Sequence, residues 1–315
     1  MDKRLITWDE PAGEYVKSSI ARGFPLGGIG SGGITIGSDG SFIEARCNNN
    51  WMNPVRSLRG SFFALHTMQG IAKKSRILRY GYEKEFGNIE AIASTRFKGR
   101  LPEFELGFND SLPVEIRLSG FTPHIPHNIK DSTIPAALFS VRIENISNEP
   151  VFVSVLFSWQ NILGCGGTGQ TGLVMRRRKI PVGLEGKLTY RDVNGNYQEA
   201  CETGGMPAIL FRTSQSYDPR SHRYGVLGEY LLSACPPDGF QTDICEGYDS
   251  MELSPAILDS FVRSGRISSQ AVPVIGSDRI RPAGAIAVHG SLEPGKSVDV
   301  PFNFIWWTPG QRARC

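Results

Sequence analysis

The strongest constraint in this sequence is a pair of runs in which every second residue is apolar. Phe139, Val141 and Ile143 alternate with Ser140, Arg142 and Glu144. A turn-forming stretch comes next, Asn145-Ile146-Ser147-Asn148-Glu149-Pro150. Then Val151, Val153, Val155, Phe157 and Trp159 share one face, and Phe152, Ser154, Leu156 and Ser158 share the other. Successive side chains of a strand point to opposite faces, so the pair reads as a hairpin with one buried face. Pro150 sits just outside the second run, where it costs no ladder bond.

The end of the chain repeats the pattern. Ala285 to His289 is short and apolar, and Leu292-Glu293-Pro294-Gly295-Lys296 is a turn with Pro before Gly. Val298, Val300, Phe302, Phe304 and Trp306 then alternate to one side. Further strands are expected at 33–36, 42–46, 62–67, 114–118, 187–190, 209–212 and 230–234. One helix is expected where Ser254 serves as N-cap, Pro255 as first helical residue and Gly265 as terminator. Its stripe of Ile257, Leu258, Phe261 and Val262 reads as packing over a sheet edge or barrel mouth. Thirty-six Gly and twenty Pro favour turns and short strands over long helices. The expected fold is all-β, a large antiparallel two-sheet β-sandwich with one or two short helices. One domain is read over 1–308, with 309–315 as a tail or the start of a linker.

The net charge of +3 excludes a strongly basic nucleic-acid binder, and 21% charged with 40% hydrophobic residues excludes a disordered chain. No apolar run approaches the roughly 20 residues that span a bilayer. The start of the chain lacks the apolar core of a signal peptide, so a cytoplasmic location is expected. Six cysteines without a CxxC pair are expected to be free thiols. Asn109-Asp110-Ser111 and Asn145-Ile146-Ser147 fit the glycosylation sequon, which has no meaning without secretion.

Several chemical motifs fail on context. Gly28, Gly30 and Gly33 fit GxGxxG, but a dinucleotide site needs a strand before it and a helix after it. Pro25 and two glycines are expected to break any preceding strand, and Ile34-Thr35-Ile36 then Ser38-Asp39-Gly40 read as a strand and hairpin turn. Ser31 is no nucleophile elbow, because Ile29 stands where a glycine is required. His124 and His127 belong to a polar loop shaped by Pro123 and Pro126 and form no metal motif. Arg176-Arg177-Arg178-Lys179 reads as a guarded strand edge. No spacing selects a carboxylate pair of the kind glycoside hydrolysis uses, about 5 to 9.5 Å apart. Trp51, Trp159, Trp306 and Trp307 could offer sugar-stacking faces, but Trp159 and Trp306 stand at core positions of their runs.

Two ordered stretches carry a family resemblance. The first is Gly23-Phe24-Pro25-Leu26-Gly27-Gly28-Ile29-Gly30-Ser31-Gly32-Gly33-Ile34. The second runs from Leu101-Pro102 through Phe121-Thr122-Pro123-His124-Ile125-Pro126-His127-Asn128, Asp131-Ser132 and Ile134-Pro135 to Phe157-Ser158-Trp159-Gln160-Asn161. Together they resemble the N-terminal domain of glycoside hydrolase family 116, the family of bacterial β-glucosidases and the non-lysosomal glucosylceramidase. The closing Phe302-Asn303-Phe304-Ile305-Trp306 suits that domain's final strand.

The resemblance implies an N-terminal β-sandwich packed on an (α/α)6 catalytic barrel. In the family a Glu nucleophile and an Asp acid/base act there by the retaining route. This sequence offers no positions onto which those carboxylates can be carried, so no catalytic residue, cofactor or metal is expected in it. The chain alone is expected to be inactive, a supporting module whose partner is a barrel in another chain or lost, and whose whole enzyme hydrolyses a β-glucoside or glucosylceramide-like substrate. The alternatives are a stand-alone carbohydrate- or partner-binding sandwich and, third, a hydrolase with its own dyad. Cleft-rim or domain-interface candidates are Gly27, Gly28, Gly30, Ser31 and Gly32, with Trp159, Gln160 and Asn161. Glycines permit close backbone approach, and Gln and Asn offer donor–acceptor pairs to hydroxyls. Internal packing is the competing reading of both groups. A surface that meets a barrel is expected to be apolar in the isolated chain.

Overall fold

The computed structural model describes residues 10–11, 23–50, 54–56, 58–81, 86, 89–165, 193–217, 226–251, 256–269, 273–277 and 279–309. The strand expected at 187–190, the basic run 176–179, Trp51, and the Ser254-Pro255 helix start lie outside these residues.

The strands, in chain order, are β1 (Glu10–Pro11), β2 (Gly23–Leu26), β3 (Ile34–Gly37), β4 (Phe42–Ala45), β5 (Phe62–Gln69), β6 (Ala72–Ile77), β7 (Glu90–Ala91), β8 (Ser94–Arg100), β9 (Glu103–Asn109) and β10 (Val114–Phe121). They continue with β11 (Ala136–Asn145), β12 (Val151–Gln160), β13 (Asn196–Thr203), β14 (Met206–Thr213), β15 (Glu229–Ala234), β16 (Gln241–Asp249), β17 (Pro282–Leu292) and β18 (Ser297–Trp307). Helix α1 (Ile129–Ser132) joins β10 to β11, and α2 (Ala256–Ser264) lies between β16 and β17.

The architecture is a two-sheet sandwich. One sheet has nine strands in the order β1-β8-β9-β10-β11-β18-β15-β14-β13, and the other has six in the order β16-β17-β12-β5-β6-β7. All these neighbours are antiparallel except β6 and β7. A third sheet, β2-β3-β4, adds its apolar side chains to the main core. Its Phe42 touches rings from both large sheets, Phe139 at 6.0 Å and Phe157 at 5.8 Å.

The two alternating runs are not a hairpin. β11 pairs with β10 and β18 in the large sheet, whereas β12 pairs with β5 and β17 in the smaller one. β17 and β18 are likewise in different sheets. Period-two alternation says which residues share a face but not which strand lies alongside. Here the apolar faces oppose each other across the core, as in Phe157 on Phe302 at 5.8 Å, instead of lining one sheet. β12 is also buried on both faces, since Ser154, Leu156 and Ser158 are as inaccessible as Val155 and Phe157.

Asn145 fastens both crossings together. Its side-chain amide donates to the Glu149 and Leu292 carbonyls at 2.8 Å each, and its Oδ1 accepts from the Ser147 N–H at 2.9 Å. Its backbone N–H donates to Lys296 O and its carbonyl accepts from Gly295 N–H, both at 2.9 Å. The residue is fully buried.

α2 ends as expected at Gly265, whose φ is +69° and whose N–H reaches Phe261 O at 2.7 Å. It lies over β5 and β6, on the side of the six-stranded sheet where β6 forms its edge at 72–75, and not over a barrel mouth. Ile257, Leu258 and Phe261 pack with Phe62, Ala64, Leu156, Ala285 and Ala287 on the outer face of the six-stranded sheet. That face is rich in alanine, which leaves room for a helix to lie close.

Replacing Asn145 by Ala should lower stability by about 1–3 kcal/mol, because it strands the buried Leu292 carbonyl and frees the part-buried Glu149 carbonyl and Ser147 N–H. Ile71→Ala, at a 99% exposed position, should change it by less than about 0.5 kcal/mol. Urea denaturation of both variants checks the contrast.

Candidate functional site

The glycine-rich candidates form the loop between β2 and β3. A strand does precede them: Gly23–Leu26 pairs with Ile34–Gly37, with Pro25 opposite Thr35. The expected break at Pro25 is therefore absent. β2 is the edge of its three-stranded sheet, where a missing N–H is tolerated. The loop leads into strand β3, and the β3–β4 turn closes through Gly40 N–H to Gly37 O at 3.0 Å. No helix N-terminus among the described residues faces the glycines, so the loop lacks the device that holds a pyrophosphate.

The loop is anchored on three sides. Gly27 N–H donates to Thr122 Oγ1 at 3.1 Å, Ile29 N–H to Ser132 O at 2.7 Å, and Trp306 Nε1–H to Ser31 O at 2.7 Å. A Cβ on Gly27 would meet Gly32 O at 2.6 Å, and one on Gly28 would meet Ile134 O at 2.5 Å. One on Gly32, where φ is +91°, would strike the Arg46 carbonyl. Gly30 differs, since a Cβ there would find open space. Gly27, Gly28 and Gly32 are thus explained by packing within the chain, while Ile29 and Gly30 form an exposed tip.

Trp159, Gln160 and Asn161 are fully buried. Trp159 lies against Phe304 at 4.0 Å and edge-on to Phe42 at 5.2 Å. Gln160 Oε1 accepts from Gly60 N–H at 3.1 Å. Asn161 donates to Tyr197 O and Arg212 O at 3.0 and 2.9 Å and accepts from Leu163 N–H at 3.2 Å. These contacts are internal. The link between the two candidate groups is an aromatic file, Trp159 to Phe304 to Trp306, that ends at the Ser31 carbonyl.

Motifs alone give no hint of the outer face of the nine-stranded sheet. Along β10 its residues are Glu115, Arg117, Ser119 and Phe121, and along β11, running back, Glu144, Arg142, Ser140 and Leu138. On β18 they are Ser297, Asp299, Pro301, Asn303, Ile305 and Trp307. Three neighbouring strands therefore change together from charged to small and polar and then to apolar. At the charged end Arg117 pairs with Glu115 at 2.6 Å and Arg142 with Asp299 at 3.0 Å. At the apolar end Ile305 is 37%, Phe121 41% and Trp307 59% exposed, and half-buried Leu231 and Leu210 continue the row. Arg212, bonded to Glu229 and Glu199 at 2.9 and 3.2 Å, borders it.

The same end carries Ile29, Leu101, Ile125, Ile129 and Ile134, all exposed. Pro102 O accepts from Thr122 N–H at 2.9 Å, which sets the Leu101 turn beside the segment that leads to α1. Isolated exposed apolar residues are ordinary, but this grouping at one end is not. The signal was present in the sequence, in the solvent-facing half of each alternating run.

Among the described residues no group of three His, Cys, Asp or Glu gathers as for a metal, and no helix is long and apolar enough to cross a membrane. No disulfide joins the described cysteines. Burial raises the Cys47 thiol to about 12 and the Cys245 thiol to about 11, so neither is poised as a nucleophile. His124 and His127 lie exposed in the loop before α1. A cavity of about 440 Å³ opens at the opposite end of the sandwich, among Gln69, Lys74, Ser111, Leu112, Ile146 and Ser147, with no Asp or Glu in its wall.

Gly32→Ala should destabilise the chain by several times more than Gly30→Ala, which should cost only the left-handed backbone strain of about 1–2 kcal/mol. Thermal melts of the pair read the difference.

The model of the glycosyl-hydrolase family 116 N-terminal region, described with β-glucosidase 2, matches residues 23–313. Among solved structures, a polysaccharide lyase is similar at 11% identity and a TM-score of 0.38, over 92% of this chain and 32% of that one. A protein assigned as a kojibiose phosphorylase from the human microbiome is similar at 7% identity and a TM-score of 0.33, over 84% and 24%. The chain thus spans about a third or less of either protein. A match to the family model along nearly the whole sequence is a different order of likeness, and the chain belongs to the glycoside hydrolase family 116 N-terminal domains.

Proposed function

We propose that this chain is the non-catalytic β-sandwich of a retaining β-glucosidase or glucosylceramidase-type enzyme of the cytoplasm. It acts as one domain over 1–308, with 309–315 leading toward a linker. It docks on an (α/α)6 barrel that carries the reactive carboxylates, and the whole enzyme takes a β-glucoside or glucosylceramide-like substrate.

The carrying observation is the graded outer face of β10, β11 and β18, whose apolar end is flanked by Glu103 and Glu105 on β9. A sheet face turned wholly to water has no reason to shed its charges toward one end on three adjacent strands. Ile305, Trp307 and Phe121 supply an apolar centre, and the Arg212–Glu229 pair supplies a polar rim, which is the ordinary anatomy of a docking surface. The exposed tip at Ile29 and Gly30 stands at the same end, bonded to α1 through Ser132 O. This supports a rim role for the Gly27–Gly33 loop. Trp159, Gln160 and Asn161 then act indirectly, by holding the strand ends beneath it.

The test is reconstitution. The chain is mixed with the separately expressed barrel of a family 116 enzyme, and co-elution and aryl β-glucoside hydrolysis are measured. The chain alone should show no turnover, and the mixture should exceed the barrel alone. Ile305→Arg with Trp307→Ser should weaken co-elution at least about tenfold, as loss of central apolar anchors does. Arg142→Ala at the charged end should leave it unchanged. Turnover by the chain alone, or tight glucoside binding to it in calorimetry, would overturn the reading.

A further inference from the structure

The outer face of the six-stranded sheet, apolar where α2 lies, is crossed by one polar row. Gln241, His289, Ser154, His66 and Ser75 stand opposite one another on β16, β17, β12, β5 and β6. His66 and Ser154 are fully buried, and His289 and Ser75 nearly so. His66 Nδ1 lies 2.9 Å from Ser75 Oγ, while His66 Nε2 and Ser154 Oγ have no hydrogen-bond partner among the described residues. Buried polar atoms left this way are costly and rare in interiors.

The last turn of α2 sits on this row. Phe261 is 6.0 Å from the His66 ring, and a Cβ on Gly265 would meet His66 Cδ2 at 2.7 Å. Phe152 lies between the imidazoles, 6.3 Å from His66 and 5.8 Å from His289. One hydrogen bond and one ion pair pin the same turn. Lys73 Nζ on β6 donates to Arg263 O at 2.8 Å, and Arg266, just past the helix, holds Asp243 on β16 at 2.6 and 2.8 Å.

The two histidines differ in what surrounds them. His289 Nε2 is 3.5 Å from Asp243, whose carboxylate offsets part of the burial that holds His289 below its ordinary range. The charge that bears on His66 is that of Lys73, which repels one. The remaining charged groups of the helix, Asp259 and Arg263, are on α2 itself. A proton on His66 therefore has no favourable neighbour while α2 is closed, and gains water when it opens.

We propose that α2 is a proton-operated latch, with His66 as its trigger: acidification lifts the helix and its following turn from the six-stranded sheet while the sandwich stays folded. Burial and Lys73 push the closed-state His66 down to about 4 from the ordinary 6.5. A lowered value means that the open form binds more protons as pH falls from 6.5 toward 4. The closed form is favoured above that window and loses its advantage through it. Between pH 7 and pH 5 opening should become about twentyfold easier.

Hydrogen exchange of the whole chain, as protection factors corrected for intrinsic rate, tests this. Peptides within 256–269 should lose about twentyfold in protection from pH 7 to pH 5, with β11 and β12 unchanged. In His66→Gln, which keeps a polar partner for Ser75 but cannot titrate, the loss should shrink to under about threefold. Equal α2 protection at both pH values, loss shared by β12, or a full loss retained in His66→Gln would each overturn the latch. Should the variant not fold, imidazole NMR of the unaltered chain decides. Titration of His66 below pH 5 supports the proposal, and an ordinary titration near 6.5 with α2 closed overturns it.

Discussion

Asn145 holds two separate passages of the chain, from one sheet to the other, at a single point. Its amide and backbone bind the 145–151 crossing and the 292–297 crossing at once. With both fixed, β11 and β18 lie side by side in the large sheet, and β12 and β17 lie side by side in the small one. The rings that meet across the sheets, Phe157 on Phe302 at 5.8 Å and Trp159 on Phe304 at 4.0 Å, depend on that register. A slip of one residue in either strand would turn every aromatic outward.

Much of the fold could be read from alternation. β11, β12 and β18 pack the faces their patterns indicate, and the residues on those faces are the centre of the core. Partner choice was not legible, because a hairpin and a sheet-to-sheet crossing place the same residues on the buried side. Weakly patterned strands escaped as well. β8 reads Ser-Thr-Arg-Phe-Lys-Gly-Arg and β16 reads Gln-Thr-Asp-Ile-Cys-Glu-Gly-Tyr-Asp, sequences whose charges and glycines hide a strand held by its neighbours. Pro25 misled for a related reason, since an edge position removes its penalty. At the candidate site the glycines were identifiable but their separate causes were not. Only the backbone path shows that Gly32 faces a carbonyl and Gly30 faces nothing.

The two outer faces of the sandwich have been treated differently. The small sheet is covered by a helix of its own chain, and alanines on β17 make room for it. On the large sheet the outer faces of β10, β11 and β18 run from charged to apolar, Glu103 and Glu105 of β9 stand beside the apolar end, and no described helix covers them.

The burial of Asn145 bears on how this chain can be produced. Asn145-Ile146-Ser147 would be recognised by an oligosaccharyltransferase, yet the amide nitrogen that accepts the glycan is spent on the buried Leu292 carbonyl and the part-buried Glu149 carbonyl. In a host that exports the protein, sugar transfer would compete with folding. Every molecule modified there would lose the knot that joins its sheets, whereas Asn109, on an exposed strand end, could carry a glycan without that loss.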